Sequence, residues 1–239
     1  MRRSDVTAEH IAAETERVVA TAASLSNDAV LAPSLCEGWS RGHVLAHIAR
    51  NADALGRVCA VALTGEPGTM YPSQQTRDDE IEAGARRPAA AQAADILESG
   101  ERLAPLLAAL GPEHADVLVE RVPGGPQISV GWVPFMRLRE LVFHHVDLDA
   151  CFRFDRVAPE VVDLFLTEAV DRLRSHAEAP SVRLVPTEGE SHVIGAGATL
   201  ITGSPAGLLL WLARGRARAG RLGRRHRPAG HDVRLGRRA

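Results

Sequence analysis

The residues with the clearest capacity for chemistry are Glu140 and His144. They stand four apart in Arg139-Glu140-Leu141-Val142-Phe143-His144-His145-Val146-Asp147, so on a helix both side chains project to one side. Their neighbours Leu141, Val142, Phe143 and Val146 are apolar. A carboxylate and an imidazole in that setting cost free energy unless something pairs with them, and a metal ion would satisfy both. A third candidate, His47, sits between Leu45, Ala46 and Ile48 on the apolar stripe of another predicted helix. His47, Glu140 and His144 make a two-histidine, one-carboxylate set, which suits a catalytic zinc whose fourth position stays open. Spacing alone leaves other readings in place. A Glu/His pair at this separation is more often a surface or capping pair, and a histidine on an apolar face is more often a hydrogen-bonded core residue. Around the set, His43 reads as exposed, and His145 points about 100° away from His144, toward solvent or another helix. Asp147 either orients a ligand or is an ordinary helix-surface acid.

These residues need rigid elements to hold them. An amphipathic helix is predicted over residues 7–25, with Ile11, Val18, Ala22 and Leu25 on one side. A polar loop leads to Ser40, a good N-cap for a long helix over 41–63 that carries His43 and His47. Thr76 can cap a short acidic helix over 77–85, and Pro88 can occupy the first turn of a helix over 89–110. Extended segments 117–122 and 127–130 flank Pro123-Gly124-Gly125-Pro126 and read as a hairpin or loop. Pro134 then opens a helix to about Ala150, which carries Glu140 and His144. Four long helices make a four-helix bundle the natural architecture, with a metal held by inward-facing side chains.

Beyond Asp155 the pattern changes. A helix over 159–176, short β-branched runs at 182–185, 192–194 and 199–201, and an apolar helix from Ser204-Pro205 through Trp211 form an α+β pattern. The expected class is therefore α+β: a bundle over 1–154, a small α+β domain over 155–216, and an Arg-rich tail over 217–239. The tail reads as disordered or as the product of a shifted reading frame. From Arg214 to the end, ten arginines against one acid give +9, while the rest of the chain carries −11.

Composition narrows the function classes. The chain has 239 residues, is 45% apolar and contains only nine aromatic residues, so its core must be mostly Ala, Leu and Val. No run approaches the ~20 apolar residues of a membrane helix, and no apolar signal stretch follows the N-terminus. Cys36, Cys59 and Cys151 are odd in number and lack a CxxC spacing, which argues for a reducing cytoplasm and buried structural thiols. All 28 basic residues are arginine, which reads as GC-rich coding. Basic charge confined to a tail argues against nucleic-acid binding. Gly195-Ala196-Gly197 lacks the frame of a dinucleotide site, and Gly203-Ser204-Pro205 reads as a helix cap.

The segments LCEGWSRGHVLAHIARNADAL and MRLRELVFHHVDLDA resemble the two signature segments of mycothiol-dependent maleylpyruvate isomerases, within the DinB/YfiT-like superfamily of metal-binding four-helix bundles. TGEPGTMYPSQQTRDDEIEAGA and the α+β region are similar to the isomerase proper, and the resemblance spans roughly residues 5–216. It implies zinc on His47, Glu140 and His144, mycothiol as the thiol cofactor, and isomerisation of maleylpyruvate to fumarylpyruvate in gentisate-type aromatic degradation. It also implies an arginine acting on substrate at the end of the last helix. By motif this is Arg216; an ungapped alignment falls on Gly215, beside Arg214. The family's usual C-terminus is replaced here by the Arg-rich tail. The partners so implied are a maleylpyruvate-like small molecule and a low-molecular-weight thiol; composition adds the expectation of no nucleic acid and no membrane, and the sequence leaves the oligomeric state open, a monomer being one possibility. Another mycothiol-dependent metalloenzyme such as a thiol S-transferase, or a non-catalytic metal-binding or regulatory protein, would share the same scaffold.

Overall fold

The computed structural model describes residues 1–214 and the backbone of residues 222–225. The chain divides into two compact units, one over Arg2–Phe152 and one from Arg153 onward.

In the first unit, α1 (Ala8–Ser24) begins at Thr7, whose hydroxyl accepts the His10 amide. A short α2 (Asn27–Leu31), capped by Ser26, occupies part of the stretch that reads as a polar loop. α3 (Arg41–Thr64) starts at Ser40 as expected and stops at Gly65, where a φ of 74° is open to glycine and costly for other residues. α4 (Gln74–Ala85) starts earlier than the sequence suggests. Ser73, and not Thr76, is its cap, accepting the Thr76 amide at 2.9 Å. α5 (Ala89–Ala109) follows with Pro88 at the N-cap. β1 (Leu118–Glu120) and β2 (Gln127–Ser129) pair antiparallel, Val119 opposite Ile128. α6 (Val133–Asp147) ends three residues short of the predicted Ala150, because Asp149 and Cys151 take left-handed φ values of 51° and 68°.

α1 and α3 each pack against both α5 and α6, so these four helices close into a bundle. Its centre is aliphatic: Val18, Leu45, Ile48, Leu55, Ile96, Leu138, Leu141 and Val142 are fully enclosed. Each such side chain contributes about 1.5–3 kcal/mol on burial, the term that holds α3 against α6. α4 lies against α3. A Cβ at Gly42 would collide with the Ala85 carbonyl, and one at Gly84 would come within 2.7 Å of the Ala46 side chain. Two glycines thus set the close approach beside the turn that bears His47.

The second unit holds α7 (Pro159–Arg174), β3 (Val182–Pro186), β4 (His192–Ile194), β5 (Thr199–Gly203), α8 (Pro205–Arg214) and β6 (Leu222–Arg225). The strand order is β4-β3-β5-β6, with β3 and β5 parallel and the outer pairings antiparallel. Val182, Leu184, Ile194 and Ile201 alternate onto the face that buries Leu166, Val170 and Leu208 from the two helices. Ser204 caps α8 by accepting the Gly207 amide at 3.1 Å. The fold is α+β, a helical bundle followed by a small α+β unit. β6 takes four residues of the segment read as tail: pairing with the edge of β5 is a main-chain matter, indifferent to an arginine-rich sequence. The rest of 217–239, and Arg216, lie outside the described residues. No described helix is long and apolar enough to cross a membrane.

Candidate metal centre

Two clamps fix α3 relative to α6. At one end, Arg41 at the start of α3 donates from Nε to the Leu148 carbonyl at 2.6 Å and from Nη2 to the Asp149 carbonyl at 3.2 Å. Further along, the enclosed Arg137 of α6 donates from Nη1 to the Ile48 carbonyl at 2.7 Å and to the Asn51 Oδ1 at 3.1 Å. Burial pushes the Arg137 guanidinium down to about 10, so it remains charged at neutral pH. His47 lies between these clamps on α3, and Glu140 and His144 face it from α6.

The three side chains meet. His47 Nε2 is 2.9 Å from Glu140 Oε2, and His144 Nε2 is 3.1 Å from the same oxygen. The two imidazole rings stand perpendicular with centroids 4.7 Å apart. One donor atom from each of the three lies within 4.8 Å of the others. His47 is only 6% exposed, and its Nδ1 is buried without a hydrogen-bond partner.

Electrostatics follow from this geometry. Burial opposes the Glu140 charge more than any other single influence, but hydrogen bonds from His144 and His47 and their positive potential together hold the carboxyl well below its ordinary range. Burial likewise disfavours a charged His144, yet Asp147, Cys36 and Glu140 together raise its pKa well above the usual histidine value. His47 goes the other way: burial lowers its pKa, with only partial compensation from Glu140. Without a metal, the His144 proton answers the Glu140 carboxylate, and a divalent cation would take the place of that proton.

Around the triad, several sequence-based expectations change. Asp147 is fully enclosed, not a surface acid, and its Oδ2 lies 3.0 Å from His144 Nδ1. This is how a carboxylate fixes the tautomer and ring orientation of a metal-binding histidine. Cys36 is not a plain buried thiol: its Sγ donates to Asp147 Oδ2 at 3.3 Å and lies 4.0 Å from His144 Nδ1. Cys36, His144 and Asp147 also form a convergent donor group, but it shares His144 through Nδ1, the nitrogen that Asp147 already engages. Cys59 is buried, its thiol pushed up to about 11 by burial, and Cys151 is exposed. His43, expected in solvent, is held by Ser40 through Nδ1 at 2.7 Å and by Glu82 through Nε2 at 2.9 Å. His145 faces a neighbouring helix, where Thr21 Oγ1 meets its Nε2 at 2.7 Å, and stacks on Phe152. Arg214 is the last residue of α8, in the second unit.

The sequence reading misses Trp39, whose ring lies 5.5 Å from that of His47, tilted by 59°. It also misses Arg137, although a charge between Met136 and Leu138, three residues before Glu140, was a usable signal. The larger groove, about 430 Å³ between α3 and α5, is lined by Arg50, Asp53, Arg57, Glu80, Arg102 and Leu106 among others and includes none of the triad. A smaller cavity of about 160 Å³ is lined by Trp39, His43, Asp78 and Glu82, next to His47.

The protein is a helical bundle followed by an α+β unit, and the two histidines and the glutamate that converge across one helix seam are a candidate site for a metal held between facing helices. Residues 11–149 match the mycothiol maleylpyruvate isomerase N-terminal domain, and the chain belongs to that family. Two solved structures share the fold. A crystal structure of the mycothiol-dependent maleylpyruvate isomerase aligns with a TM-score of 0.81 at 24% identity, over 94% of this chain and 95% of that one. A crystal structure of a histidine-to-alanine variant of that isomerase aligns with a TM-score of 0.78 at 24% identity, over 89% and 91%. No curated protein matches.

Proposed function

We propose that the chain is a zinc- and mycothiol-dependent isomerase that converts maleylpyruvate to fumarylpyruvate. The observation that carries this is the convergence of His47, Glu140 and His144 on one point across the α3/α6 seam. The fit to zinc rests on the donor set: two imidazoles and a carboxylate held ionised, with one imidazole oriented by a buried aspartate. His47, Glu140 and His144 would hold the ion, and a bound zinc supplies the positive charge that keeps a thiol deprotonated at neutral pH.

The reaction needs a borrowed nucleophile. A cis double bond conjugated to carbonyls rotates slowly. A thiolate adds to one alkene carbon, the electron pair moves onto the conjugated carbonyl as an enolate, and the remaining single bond rotates. The enolate then re-forms the double bond in the trans sense and expels the same thiolate, so the chemistry is redox-neutral. The protein's own groups position and neutralise. Asp147 holds the His144 ring, and the Trp39 ring packs beside His47. The family resemblance assigns the substrate arginine to Arg216 or Arg214, whose positive charge would neutralise the enolate and carboxylates. None of the three cysteines is required as nucleophile.

Conversion of maleylpyruvate, followed optically with and without added mycothiol, tests this reading. Turnover is expected only with the thiol. Thiol-independent turnover would remove the mechanism, and thiol consumption by a generic electrophile in place of isomerisation would favour a thiol transferase.

A further inference from the structure

Three guanidinium groups converge on one phenol ring beside the triad. Arg57, Arg77 and Arg121 lie 5.8, 5.9 and 5.5 Å from the Tyr71 centroid. They come from three separate elements: Arg57 from α3, Arg77 from α4, and Arg121 from just after β1. A buried tyrosine face accommodates cations, but three like charges on one ring repel each other unless anions answer them. Few do among the described residues. Arg77 pairs with Asp78 at 2.7 Å, Arg121 donates to the neutral amide of Gln74 at 3.0 Å, and Arg57 donates to the Met70 carbonyl at 2.8 Å. Arg77 Nε and Arg57 Nη2 are buried with no hydrogen-bond partner. Buried guanidinium nitrogens left unpaired are costly, and the cost is recovered if a ligand supplies the acceptors.

The cluster also adjoins the metal centre. Asp78, the partner of Arg77, lines the same small cavity as Trp39 and His43, and the Trp39 ring packs beside His47. The charge of Arg77 is felt at His47, and that of Glu140 at Tyr71. α4 is held there by the Gly42 and Gly84 contacts and by the His43–Glu82 bond.

We infer that Arg77 and Arg121, seated on Tyr71, bind a carboxylate of a small dicarboxylate electrophile beside the triad. The inference rests on the proposed isomerase reading and names the residues that hold its anionic substrate within the first unit. A guanidinium fork matches a carboxylate with two parallel bonds, and Tyr71 and the helix contacts preset its plane. Arg57, tied to the Met70 carbonyl, adds positive potential.

The test uses the full chain loaded with zinc and maleate as the probe, a cis-dicarboxylate without the reacting ketone. Binding is measured by titration calorimetry for wild type, Arg77→Gln, Arg121→Gln, Arg77→Lys and Arg86→Gln, with the zinc content of each sample measured alongside. Losing one charged, paired hydrogen-bonding group is expected to weaken maleate by about tenfold or more in both glutamine variants. Arg77→Lys should recover part of the loss, and Arg86→Gln, an 82% exposed charge at the C-cap of the same helix, should match wild type. Zinc content should stay equal throughout. Equal maleate affinity in wild type and both glutamine variants, or no saturable binding by wild type, overturns the inference. Failure of wild type to hold zinc counts separately, against the isomerase reading.

Discussion

Two carboxylates of the same bundle, the partly buried Glu140 and the buried Glu14, behave oppositely. Glu140, on the α3/α6 seam, meets two imidazoles and stays ionised. Glu14, on α1, meets Arg17 alone among the described residues, at 2.8 Å, and that arginine's side chain is half exposed. Burial therefore dominates at Glu14 and raises its pKa despite Arg17, and its Oε2 has no hydrogen-bond partner. The difference shows what separates a site from a tolerated polar residue. Burial opposes the charge of both, but only Glu140 sits between an imidazole from another helix and one a turn along its own, which keep it charged. Arg137 and Arg41 fix α3 relative to α6, through backbone carbonyls rather than through Glu140 itself.

The comparison can be broken first at Glu140. Glu140→Ala is expected to abolish zinc binding and reduce turnover to background while circular dichroism still reports a helical bundle, since Leu138, Leu141 and Val142 keep the seam closed. A variant that turned over normally would reduce Glu140 to the status of Glu14. A milder cut is Asp147→Asn, which exchanges an acceptor for a group that can present N–H to His144 Nδ1. Zinc affinity, measured by competition with a chelator, should fall about 10–100-fold; an unchanged affinity would mean that Asp147 is only structural. The smallest effect is expected at Glu14. Its folded pKa is raised above the ordinary 4.5, so the folded state binds the proton more tightly than the unfolded one. Stability contributed by the neutral form is present at low pH and is lost as pH climbs above about 4.5 through the raised folded value. Glu14→Gln should flatten that decline and gain up to about 1 kcal/mol at pH 7 relative to wild type, read from urea midpoints at the two pH values. A wild type that gained on the variant as pH rose would reverse the assignment.

Much of this was legible in the chain itself. Local signals placed the long helices, because Ser40, Gly65, Pro134 and the apolar periods are each read from a few adjacent residues. The Glu140/His144 pair was visible for the same reason: i, i+4 geometry is local. The meeting with His47 was not, because it depends on helix packing across 93 residues of chain; spacing alone favoured a core histidine at His47. The same limit hid Trp39, Cys36 and the arginines on Tyr71, whose partners are distant in sequence. Boundary errors had nearer causes. Ser73 and Thr76 are both fit to cap a helix, and nothing in the sequence requires left-handed turns at Asp149 and Cys151.

The central claim is most directly tested by elemental analysis of wild type beside His144→Ala, each purified without added chelator. The account predicts one zinc per wild-type chain and almost none in the variant, with both folded by circular dichroism. Metal-free wild type that isomerises maleylpyruvate, or His144→Ala that keeps a full equivalent of zinc, would contradict it.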